Sequence, residues 1–347
     1  MFSQRGPVRR LPGRFCHTTA LALLVVFVAA CQTSATVPAA SSLPTANSAP
    51  TTAAIESQPI AGGPTLLRSN IALRKVALVE GGSIKLAHNP ADNSLYILNA
   101  LHGLYRVTLS DIPTTSLVID STAIFTDAVP AGLAIAADGT IFVSGNRKVR
   151  TLYTQAIIRR GRPNGDNGVR WSTLATTAPY PLSDTPFDHL INGLAVSPDG
   201  QYLYINSGSR TDHGEVETNR GNFPKVREVP LTSAILRVPT NAENLVLPND
   251  EAGLRPYLFA DGTRNSFDPE FAPNGELFAG DNGPDADYPD ELNWLQQGKH
   301  YGFPWRFGQQ DNPQQFPTYD SSSDRRLQPD FTAVQIGAYH NDPSFPA

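Results

Sequence analysis

Two pairs of polar residues and one acidic stretch have the types and spacing that chemistry needs. Asp188-His189 places a carboxylate beside an imidazole, and histidine suits proton abstraction because its ordinary pKa lies near neutral pH. Arg264-Asn265 places a planar cation that can form two parallel hydrogen bonds next to an amide. A later stretch is rich in the oxygen ligands that calcium prefers. Its acids are Asp281, Asp285, Asp287, Asp290 and Glu291.

Each of these features also has a purely structural interpretation. A His-Asp pair is more often a hydrogen bond within a loop than a catalytic pair. The Arg264 guanidinium could form a salt bridge with Asp261 or Asp268. The acidic stretch could equally be a solvated surface loop. The residues indicate catalysis only if a scaffold brings them together, so the elements around them decide the interpretation.

The N-terminus has the order of segments that export requires. Four arginines precede a short apolar core at 20–28, far shorter than the roughly 20 residues that span a bilayer. Val28-Ala29-Ala30-Cys31 resembles the lipobox of bacterial lipoproteins, in which the cysteine is lipidated and the peptide before it is removed. We predict a signal peptide at 1–30 and an extracytoplasmic protein anchored to the cell membrane by lipid on Cys31, in the periplasm or on the outer surface. An uncleaved N-terminal anchor is the alternative, and it leaves the body on the same side.

The composition of the exported part limits the kinds of partner that it can bind and the bonds that can stabilise it. The formal net charge of −5 argues against a nucleic-acid-binding surface. Cys16 lies within the predicted signal peptide, so the mature chain would have no thiol pair for a disulfide. Residues 31–64 are rich in Ser, Thr, Ala and Pro and predict a disordered tether. Residues 65–347 are long enough for one large domain.

The predicted domain repeats one pattern four times: an apolar run, a turn, and a second apolar run. Asp-Gly and Asn-Gly between β-rich runs indicate tight hairpins, because such turns need a positive φ. Repeats of this kind, with several strands per unit, are typical of a β-propeller, and a β-sandwich is the alternative. The predicted hairpins span residues 84–98, 132–143, 193–205 and 268–279.

On this framework, an ordered set of motifs resembles the soluble quinoprotein glucose/sorbosone dehydrogenases. In that family an Asp-His pair precedes a Gly-x-Leu-x-x-x-Pro-Asp-Gly hairpin. Gly-x-Arg-Asn, Gly-Pro, Asp-Glu-Leu-Asn and Gly-x-Asn-Tyr-Gly-Trp-Pro then follow. Each motif is weak alone, and their order makes the resemblance specific. The matching segments here are Asp188-His189, Gly193 to Gly200, Gly262-Thr263-Arg264-Asn265, Gly283-Pro284, Asp290-Glu291-Leu292-Asn293 and Gly298-Lys299-His300-Tyr301-Gly302-Phe303-Pro304.

The resemblance implies an all-β, six-bladed-type β-propeller that oxidises an aldose or a related hydroxy-aldehyde with pyrroloquinoline quinone (PQQ) and Ca²⁺. It implies that His189 is the general base and that Asp188, Arg264 and Asn265 bind the quinone. Electrons would pass to a respiratory acceptor, beside which the lipid anchor would hold the protein. The calcium ligands that it implies are the main-chain oxygens of Gly283 and Pro284, the Glu291 carboxylate and the Tyr301 carbonyl.

The sequence departs from the family pattern at two positions. Glu80 stands where the family has a glutamine that contacts the quinone. Ser209 stands where the family has an aspartate near the catalytic histidine. We therefore expect a weaker orientation of His189 unless the nearby Asp212 folds back onto it.

The number of repeats is the third departure. About four blades are visible, and the tail at 308–347 has no clear fifth hairpin. The family has six blades, of which the last two supply a lysine and an arginine to the quinone. We therefore expect an incomplete propeller, truncated at its C-terminus, whose activity alone is reduced or absent; a closed four-bladed propeller is the alternative.

Two other functions stay open at this stage. A non-catalytic propeller that binds sugars or cell-wall material is favoured by Glu80 and Ser209. A calcium-dependent lactonase or related hydrolase on a propeller would use the clustered acids and no quinone. Both functions are compatible with export. They differ from the dehydrogenase because neither requires His189 to be the base in an oxidation.

Overall fold

The computed structural model describes residues 75–109, 113–165, 168–224, 226–284 and 289–312. These residues form mostly antiparallel sheets, and the two α-helices among them have four residues each. Within these ranges no helix is long and apolar enough to cross a membrane. The predicted signal peptide, Cys31 and the tether lie outside the described residues. Val76–Ala347 forms one compact unit, and the predicted domain start at residue 65 stays a prediction.

The first sheet has four antiparallel strands in chain order. They are β1 (Ser83–Asn89), β2 (Ser94–Asn99), β3 (Gly103–Thr108) and β4 (Thr115–Asp120). Leu98, Leu104 and Val107 lie on these strands and are fully buried in the core. A one-turn helix, α1 (Ser121–Ile124), follows the sheet and buries Ile124.

The second sheet is the largest and contains the longest strands. Its strands are β5 (Val129–Ile135), β6 (Ile141–Val149), β7 (Tyr153–Asn164), β8 (Gly168–Thr177) and the short β9 (Tyr180–Pro181). The first four pair in chain order, and β9 pairs with the start of β7. The short β9 leads directly into the segment that contains Asp188 and His189.

The third sheet carries the longest connection between paired strands. This part of the chain contains β10 (Ile191–Val196), β11 (Tyr202–Ser207), β12 (Ala234–Pro239), β13 (Leu245–Leu247), α2 (Glu251–Leu254), a 3-10 turn (Arg255–Tyr257) and β14 (Leu258–Asp261). The sheet order is β10-β11-β12-β14. β13 instead pairs in parallel with β8 and so ties the third sheet to the second.

The fourth sheet has three described strands. They are β15 (Ser266–Phe271), β16 (Leu277–Asp281) and β17 (Glu291–Leu295), in that order. A separate small hairpin of β18 (Arg306–Phe307) and β19 (Gln310–Asp311) comes after it. Residues 313–347, which include most of the tail without a fifth predicted hairpin, lie outside the described residues.

The four predicted hairpins are confirmed as β1-β2, β5-β6, β10-β11 and β15-β16. Their turns use the residues that tolerate a positive φ. Gly139, Gly200 and Gly275 have φ values of 82°, 70° and 85°, and Asn93 has a φ of 50°. Local turn chemistry therefore sets the register of each hairpin, as the repeated pattern indicates.

The first strands of the four sheets pack against one another in chain order, β1 on β5, β5 on β10, and β10 on β15. Sheets that present their first strands to a shared centre are the blades of a β-propeller. The all-β propeller prediction, with about four blades in this chain, is confirmed. The packed first strands bring the segments that precede the third and fourth blades close to each other.

Each first strand has a β-bulge near its start, and the residues after the bulges differ between blades. In the second and third blades these residues are Gly132 and Gly193, where an added Cβ would lie 2.5 Å and 2.7 Å from the nearest atom. In the first blade the residue is the buried Lys85. Its Nζ donates to the Phe267 carbonyl at 2.5 Å and to Asp268 Oδ1 at 2.6 Å. The first and fourth blades are therefore in direct contact.

Candidate active site

His189 lies just before β10, where main-chain hydrogen bonds extend the β10-β11 ladder. Its N–H donates to the Ser209 carbonyl at 2.9 Å, and the Gly208 N–H donates to the Leu190 carbonyl at 2.8 Å. An added Cβ at Gly208 would lie 2.4 Å from the His189 Cβ. Glycine at 208 is therefore required for the close approach that fixes the backbone of His189.

The imidazole of His189 contacts Ser209 rather than a carboxylate. Its Nδ1 lies 3.1 Å from Ser209 Oγ and 3.2 Å from the Ser209 carbonyl oxygen. Asp212, which would have oriented the imidazole had it folded back, forms its ion pair with Arg264 instead. Ser209, which stands where the family has an aspartate in sequence, is thus the residue in contact with the imidazole.

The environment of His189 keeps its imidazole neutral. Burial, with a smaller contribution from the nearby charge of Arg264, lowers its pKa from 6.5 to about 4. The Ser209 carbonyl and the charge of Asp212 act in the opposite direction and are weaker. At neutral pH the imidazole therefore has a lone pair with which it can accept a proton.

Asp188 precedes His189 but has different partners. Its two carboxylate oxygens each accept a hydrogen bond from the Ser183 N–H at 3.0 Å, and Ser183 Oγ donates to Oδ2 at 2.8 Å. Burial raises the pKa of the Asp188 carboxyl to about 6, against the lowering effect of Ser183 and Arg210. Asp188 lines a cavity of about 590 Å³, and Asn219 is another of the residues that line it.

Arg264 is held in a buried ion pair. Its Nη2 donates to Asp212 Oδ1 and its Nε to the Asp212 carbonyl, both at 2.5 Å, while Nη1 donates to the Asn282 carbonyl at 2.9 Å. The two side chains are 4% and 1% exposed. The alternative partners considered from sequence are engaged elsewhere, since Asp261 pairs with His300 and Asp268 with Lys85.

A buried amide network surrounds Asn265 at the start of the fourth blade. The Asn265 Oδ1 accepts hydrogen bonds from Asn192 Nδ2 at 2.8 Å and Asn206 Nδ2 at 3.3 Å. Its Nδ2 donates to Asn282 Oδ1 at 3.3 Å. Asn192 also donates to the His189 carbonyl at 3.0 Å. The network therefore links Asn265 to the backbone of His189 across two blades.

Asp281, at the end of β16, holds the segment that contains Arg264 and Asn265. Its carboxylate accepts hydrogen bonds from the N–H groups of both residues, at 3.0 Å for Arg264. Burial raises the pKa of Asp281 to about 7, against the lowering effect of these hydrogen bonds. The sequence suggests Asp281 as part of a candidate calcium loop, whereas the structure gives its carboxylate to the protein backbone.

The loop between β11 and β12 supplies charges that the motifs do not include. Arg210 is buried and donates to the Glu217 and Leu182 carbonyls at 2.7 and 3.0 Å. Glu228 accepts hydrogen bonds from the N–H groups of Arg210 and Thr211, and burial raises its pKa. In the sequence, only the run of charged residues between the two strands could have indicated these residues. A solvated loop has the same composition, so the run does not predict a buried cluster.

The predicted calcium ligands lie on or after the outer strands of the fourth blade. Glu291 accepts hydrogen bonds from the Gly308 N–H and from Asn293 Nδ2, the latter at 2.9 Å. The Gly283 N–H donates to Asp290 Oδ1 at 2.8 Å, and the Tyr301 N–H donates to the Asp261 carbonyl at 2.9 Å.

These residues could bind a hard cation mainly through main-chain carbonyl oxygens, since they do not form a cluster of carboxylates. No group of three or more His, Cys, Asp or Glu residues suited to a metal ion occurs in the described part of the chain. Carbonyl oxygens of Gly283, Pro284 and Tyr301 are the type of donor that calcium takes, and a carboxylate oxygen such as those of Glu291 retains a second lone pair. Asp285 and Asp287 lie outside the described residues.

The donor set beside His189 fits a planar acceptor with anionic oxygens. Arg264 uses three of the five N–H groups of a guanidinium, which leaves two without a partner among the described residues. The neutral His189 is close enough to this cation for the charge of Arg264 to lower its pKa. The Ser209 N–H also connects the two segments by donating to the Arg264 carbonyl at 2.7 Å. The structure therefore brings His189, Arg264 and Asn265 into one site, with Asp188 facing the adjacent cavity.

A family model described as glucose/sorbosone dehydrogenase matches residues 130–333, which is more than half of the 347-residue chain. No curated protein sequence matches the chain.

Several solved structures are similar to this chain. The soluble aldose sugar dehydrogenase of Escherichia coli in its apo form has 20% identity and a TM-score of 0.45, and the match covers 65% of this chain and 63% of that one. A Trichoderma reesei structure of carbohydrate-active enzyme family AA12 has 21% identity and a TM-score of 0.47, with 68% and 60% covered. The PQQ-bound aldose sugar dehydrogenase of Streptomyces coelicolor has 21% identity and a TM-score of 0.44, with 68% and 66% covered.

This chain thus spans less than two thirds of the length of each of these three proteins. Because the TM-scores are low, the assignment to a family rests on the family model and not on these structures.

Proposed function

Because the chain belongs to the glucose/sorbosone dehydrogenase family, we propose that it oxidises an aldose or a related hydroxy-aldehyde, with PQQ and calcium as cofactors. The observation that supports this most is the half-buried, neutral His189, whose pKa the nearby charge of Arg264 helps to lower. A neutral base next to a fixed cation is the arrangement that removal of a hydroxyl proton and acceptance of electrons by an anionic acceptor require together.

His189 is the proton acceptor in this proposal. The hydroxyl proton of the substrate moves to the imidazole while the hydride of the same carbon leaves with two electrons, so the alcohol carbon becomes a carbonyl. PQQ, when bound, supplies the two-electron acceptor. The low pKa of His189 keeps the base unprotonated over a wide pH range, at the expense of basicity.

Arg264 and Asn265 would bind the oxygens of the quinone. The guanidinium is rigid because Asp212 holds its Nε and Nη2, so its two remaining N–H groups have a fixed direction. A pre-positioned cation in a water-poor site stabilises developing negative charge without reorganising. Asp188 would contact the same group from the cavity side, where its raised pKa lets it donate or accept a hydrogen bond near pH 6.

Calcium would be held by the carbonyl oxygens of Gly283 and Pro284 and, at a nearby position, by Glu291 and Tyr301. In this role the ion contributes fixed positive charge at the fourth blade and stabilises a mature chain that lacks a disulfide pair. Glu291 can bind the ion only if one of its oxygens binds it in addition to, or in place of, the hydrogen bond from Gly308 or Asn293.

The N-terminal segments give the proposed enzyme its location. Lipid on Cys31 would hold the domain outside the cytoplasm at the cell membrane, with residues 31–64 as the tether. A dehydrogenase that passes electrons to a respiratory acceptor in the membrane gains from this proximity. Incorporation of labelled palmitate into the wild-type chain, and its loss in Cys31→Ala, tests this part separately.

Reconstitution of the full chain with calcium and PQQ tests the proposed function. We expect an aldose-dependent change in quinone absorbance and reduction of an electron-accepting dye. His189→Ala should abolish turnover and leave quinone binding largely intact, while His88→Ala, at an exposed histidine of the first blade, should leave turnover unchanged.

Three results would contradict the proposal. They are a full chain that binds PQQ but oxidises no aldose, turnover that persists in His189→Ala, and metal-dependent hydrolysis of a lactone without quinone. Binding of sugars without turnover would favour the non-catalytic propeller.

A further inference from the structure

Ser209 is fully buried, and three hydrogen bonds fix its orientation independently of the imidazole. Its N–H donates to the Arg264 carbonyl at 2.7 Å, its carbonyl accepts from the His189 N–H at 2.9 Å, and its hydroxyl donates to the Thr211 carbonyl at 2.7 Å. The single hydroxyl proton is therefore committed to Thr211.

This arrangement decides which nitrogen of His189 carries the proton. The hydrogen-bond partners of Nδ1 among the described residues are Ser209 Oγ at 3.1 Å and the Ser209 carbonyl oxygen at 3.2 Å. The carbonyl can only accept, and so can the hydroxyl once its proton is directed at Thr211. With a lone pair on Nδ1, the ring would face the carbonyl without a proton between them and would compete with Thr211 for the hydroxyl proton. Both effects disfavour the tautomer with the proton on Nε2.

We propose that Ser209 is the positioning residue that holds His189 with its proton on Nδ1, so that Nε2 is the atom that accepts the proton from substrate. The role of Nε2 toward the substrate rests on the proposed function, whereas the tautomer of His189 does not depend on it. In this chain a neutral hydroxyl does the orienting, and the nearest aspartate of the loop, Asp212, is bound to Arg264.

A hydroxyl and a carboxylate at this position have different consequences for the base. A carboxylate on Nδ1 would favour the imidazolium, whereas the hydroxyl adds no charge. The charged groups that act on His189 are Arg264, which disfavours the imidazolium, and Asp212, which favours it. Ser209 therefore sets the tautomer without raising the pKa through a charge of its own.

Long-range ¹H–¹⁵N NMR of the ¹⁵N-histidine-labelled chain without cofactor tests the tautomer directly. His189 is assigned by the signal that disappears in His189→Gln. We expect a protonated Nδ1 and an unprotonated Nε2 in the wild type, and a mixture of tautomers in Ser209→Ala. Ser207→Ala is the matched control, because Ser207 is an equally buried serine two residues away whose hydroxyl donates to the Leu231 carbonyl. It should leave the wild-type tautomer unchanged.

The pKa of His189 in Ser209→Asp is a second measurement, and it would not change if the role of Ser209 were only structural. Ser209→Asp should raise the pKa of His189 by about 1–2 units, because a carboxylate close to the ring stabilises its charged form. In the loaded enzyme the acid limb of kcat/KM should move upward with it. Ser209→Ala should lower kcat by about tenfold with little change in KM, since orientation of the base affects the transition state more than binding.

A wild-type His189 with its proton on Nε2 would overturn the proposal, even if neither Ser209 variant folds. Identical His189 spectra for Ser209→Ala and Ser207→Ala would overturn it as well. If the tautomer is as proposed but the loaded wild type oxidises no sugar, the proposed function fails and the role of Ser209 in holding the ring stands.

Discussion

The first and third blades begin with the same kind of hairpin and differ in the connection after its second strand. Residues 100–102 join β2 to β3, whereas residues 208–233 join β11 to β12. The short connection is completed by Asn99, whose Oδ1 accepts hydrogen bonds from the N–H groups of Leu101 and His102 at 2.9 and 3.0 Å. One side chain thus satisfies two of the three N–H groups of this connection, and the third, of Ala100, donates to the Gly82 carbonyl.

The long connection of the third blade is instead buried over its first half, at residues 208–219. Ser207, at the strand position that Asn99 occupies in the first blade, donates to the Leu231 carbonyl near the far end of the loop. Between these anchors, Ser209 contacts His189 and Asp212 contacts Arg264. The hairpins therefore supply a common scaffold, and an insertion after the second strand of one blade supplies the polar contacts of the candidate site.

The largest expected effect comes from breaking the ion pair that the long loop supplies. Asp212→Ala should reduce the free energy of unfolding by about 3–5 kcal/mol, because it leaves the buried Arg264 guanidinium without its counter-charge. It should also abolish PQQ binding if Arg264 holds the quinone. Urea unfolding followed by fluorescence, and equilibrium binding of PQQ, measure the two effects.

An exposed ion pair of the second blade is the matched control for this prediction. Arg147 and Asp127 pair at side chains that are 35% and 51% exposed. Asp127→Ala should therefore change the free energy of unfolding by less than about 1 kcal/mol. Equal losses in Asp127→Ala and Asp212→Ala would show that burial of the long loop does not set the strength of its contacts.

The next largest effect is a pH dependence of stability that belongs to His189. Because its pKa is about 4 when folded and 6.5 when the ring is exposed to solvent, the unfolded chain takes up a proton as pH falls below 6.5 while the folded chain does not. Its contribution to stability is therefore lost between pH 6.5 and 4, by at most about 3 kcal/mol. Asp188 and Asp281, whose pKa values are raised to about 6 and about 7, act in the opposite direction as pH rises through the same window.

The two directions are separated by comparing the wild type with His189→Gln across this window. The free energy of unfolding of the wild type should fall relative to the variant as pH decreases from 6.5 to 4. A constant difference between the two proteins would mean that His189 is protonated equally in the folded and unfolded states, which is incompatible with its burial in the third blade.

Sequence alone predicted the scaffold well, because the turns of all four hairpins are local. Gly139, Gly200 and Gly275 each adopt the positive φ that their turn requires, and no distant contact is needed to infer it. His189 and Arg264 were found through ordered motifs, and the structure places them near each other through Ser209.

The partners of these residues could not be predicted, because they depend on how a long loop folds over the blades. The sequence left open whether Asp212 folds back onto His189, and in the structure it binds Arg264, 52 residues away in sequence. Asp281 was grouped with the acids of the candidate calcium loop, and its carboxylate instead accepts hydrogen bonds from the N–H groups of Arg264 and Asn265. Composition identifies a charged segment, but only tertiary packing decides whether water, a metal ion or the backbone satisfies it.

The smallest of the three effects compares Gly208, which follows β11 in the third blade, with Gly81, which precedes β1 in the first blade. Gly208→Ala should destabilise the protein by about 1–3 kcal/mol, because the new Cβ would lie 2.4 Å from the His189 Cβ and one of the two segments must move. Displacing the imidazole from its buried position should also bring its pKa back toward 6.5, which NMR titration of His189 measures. Gly81→Ala is the control, since no atom lies within 4 Å of an added Cβ there, and it should change stability by less than about 0.5 kcal/mol. If both variants leave stability and the His189 titration unchanged, close packing at Gly208 does not position the histidine, and the third blade differs from the first only in the length of its loop.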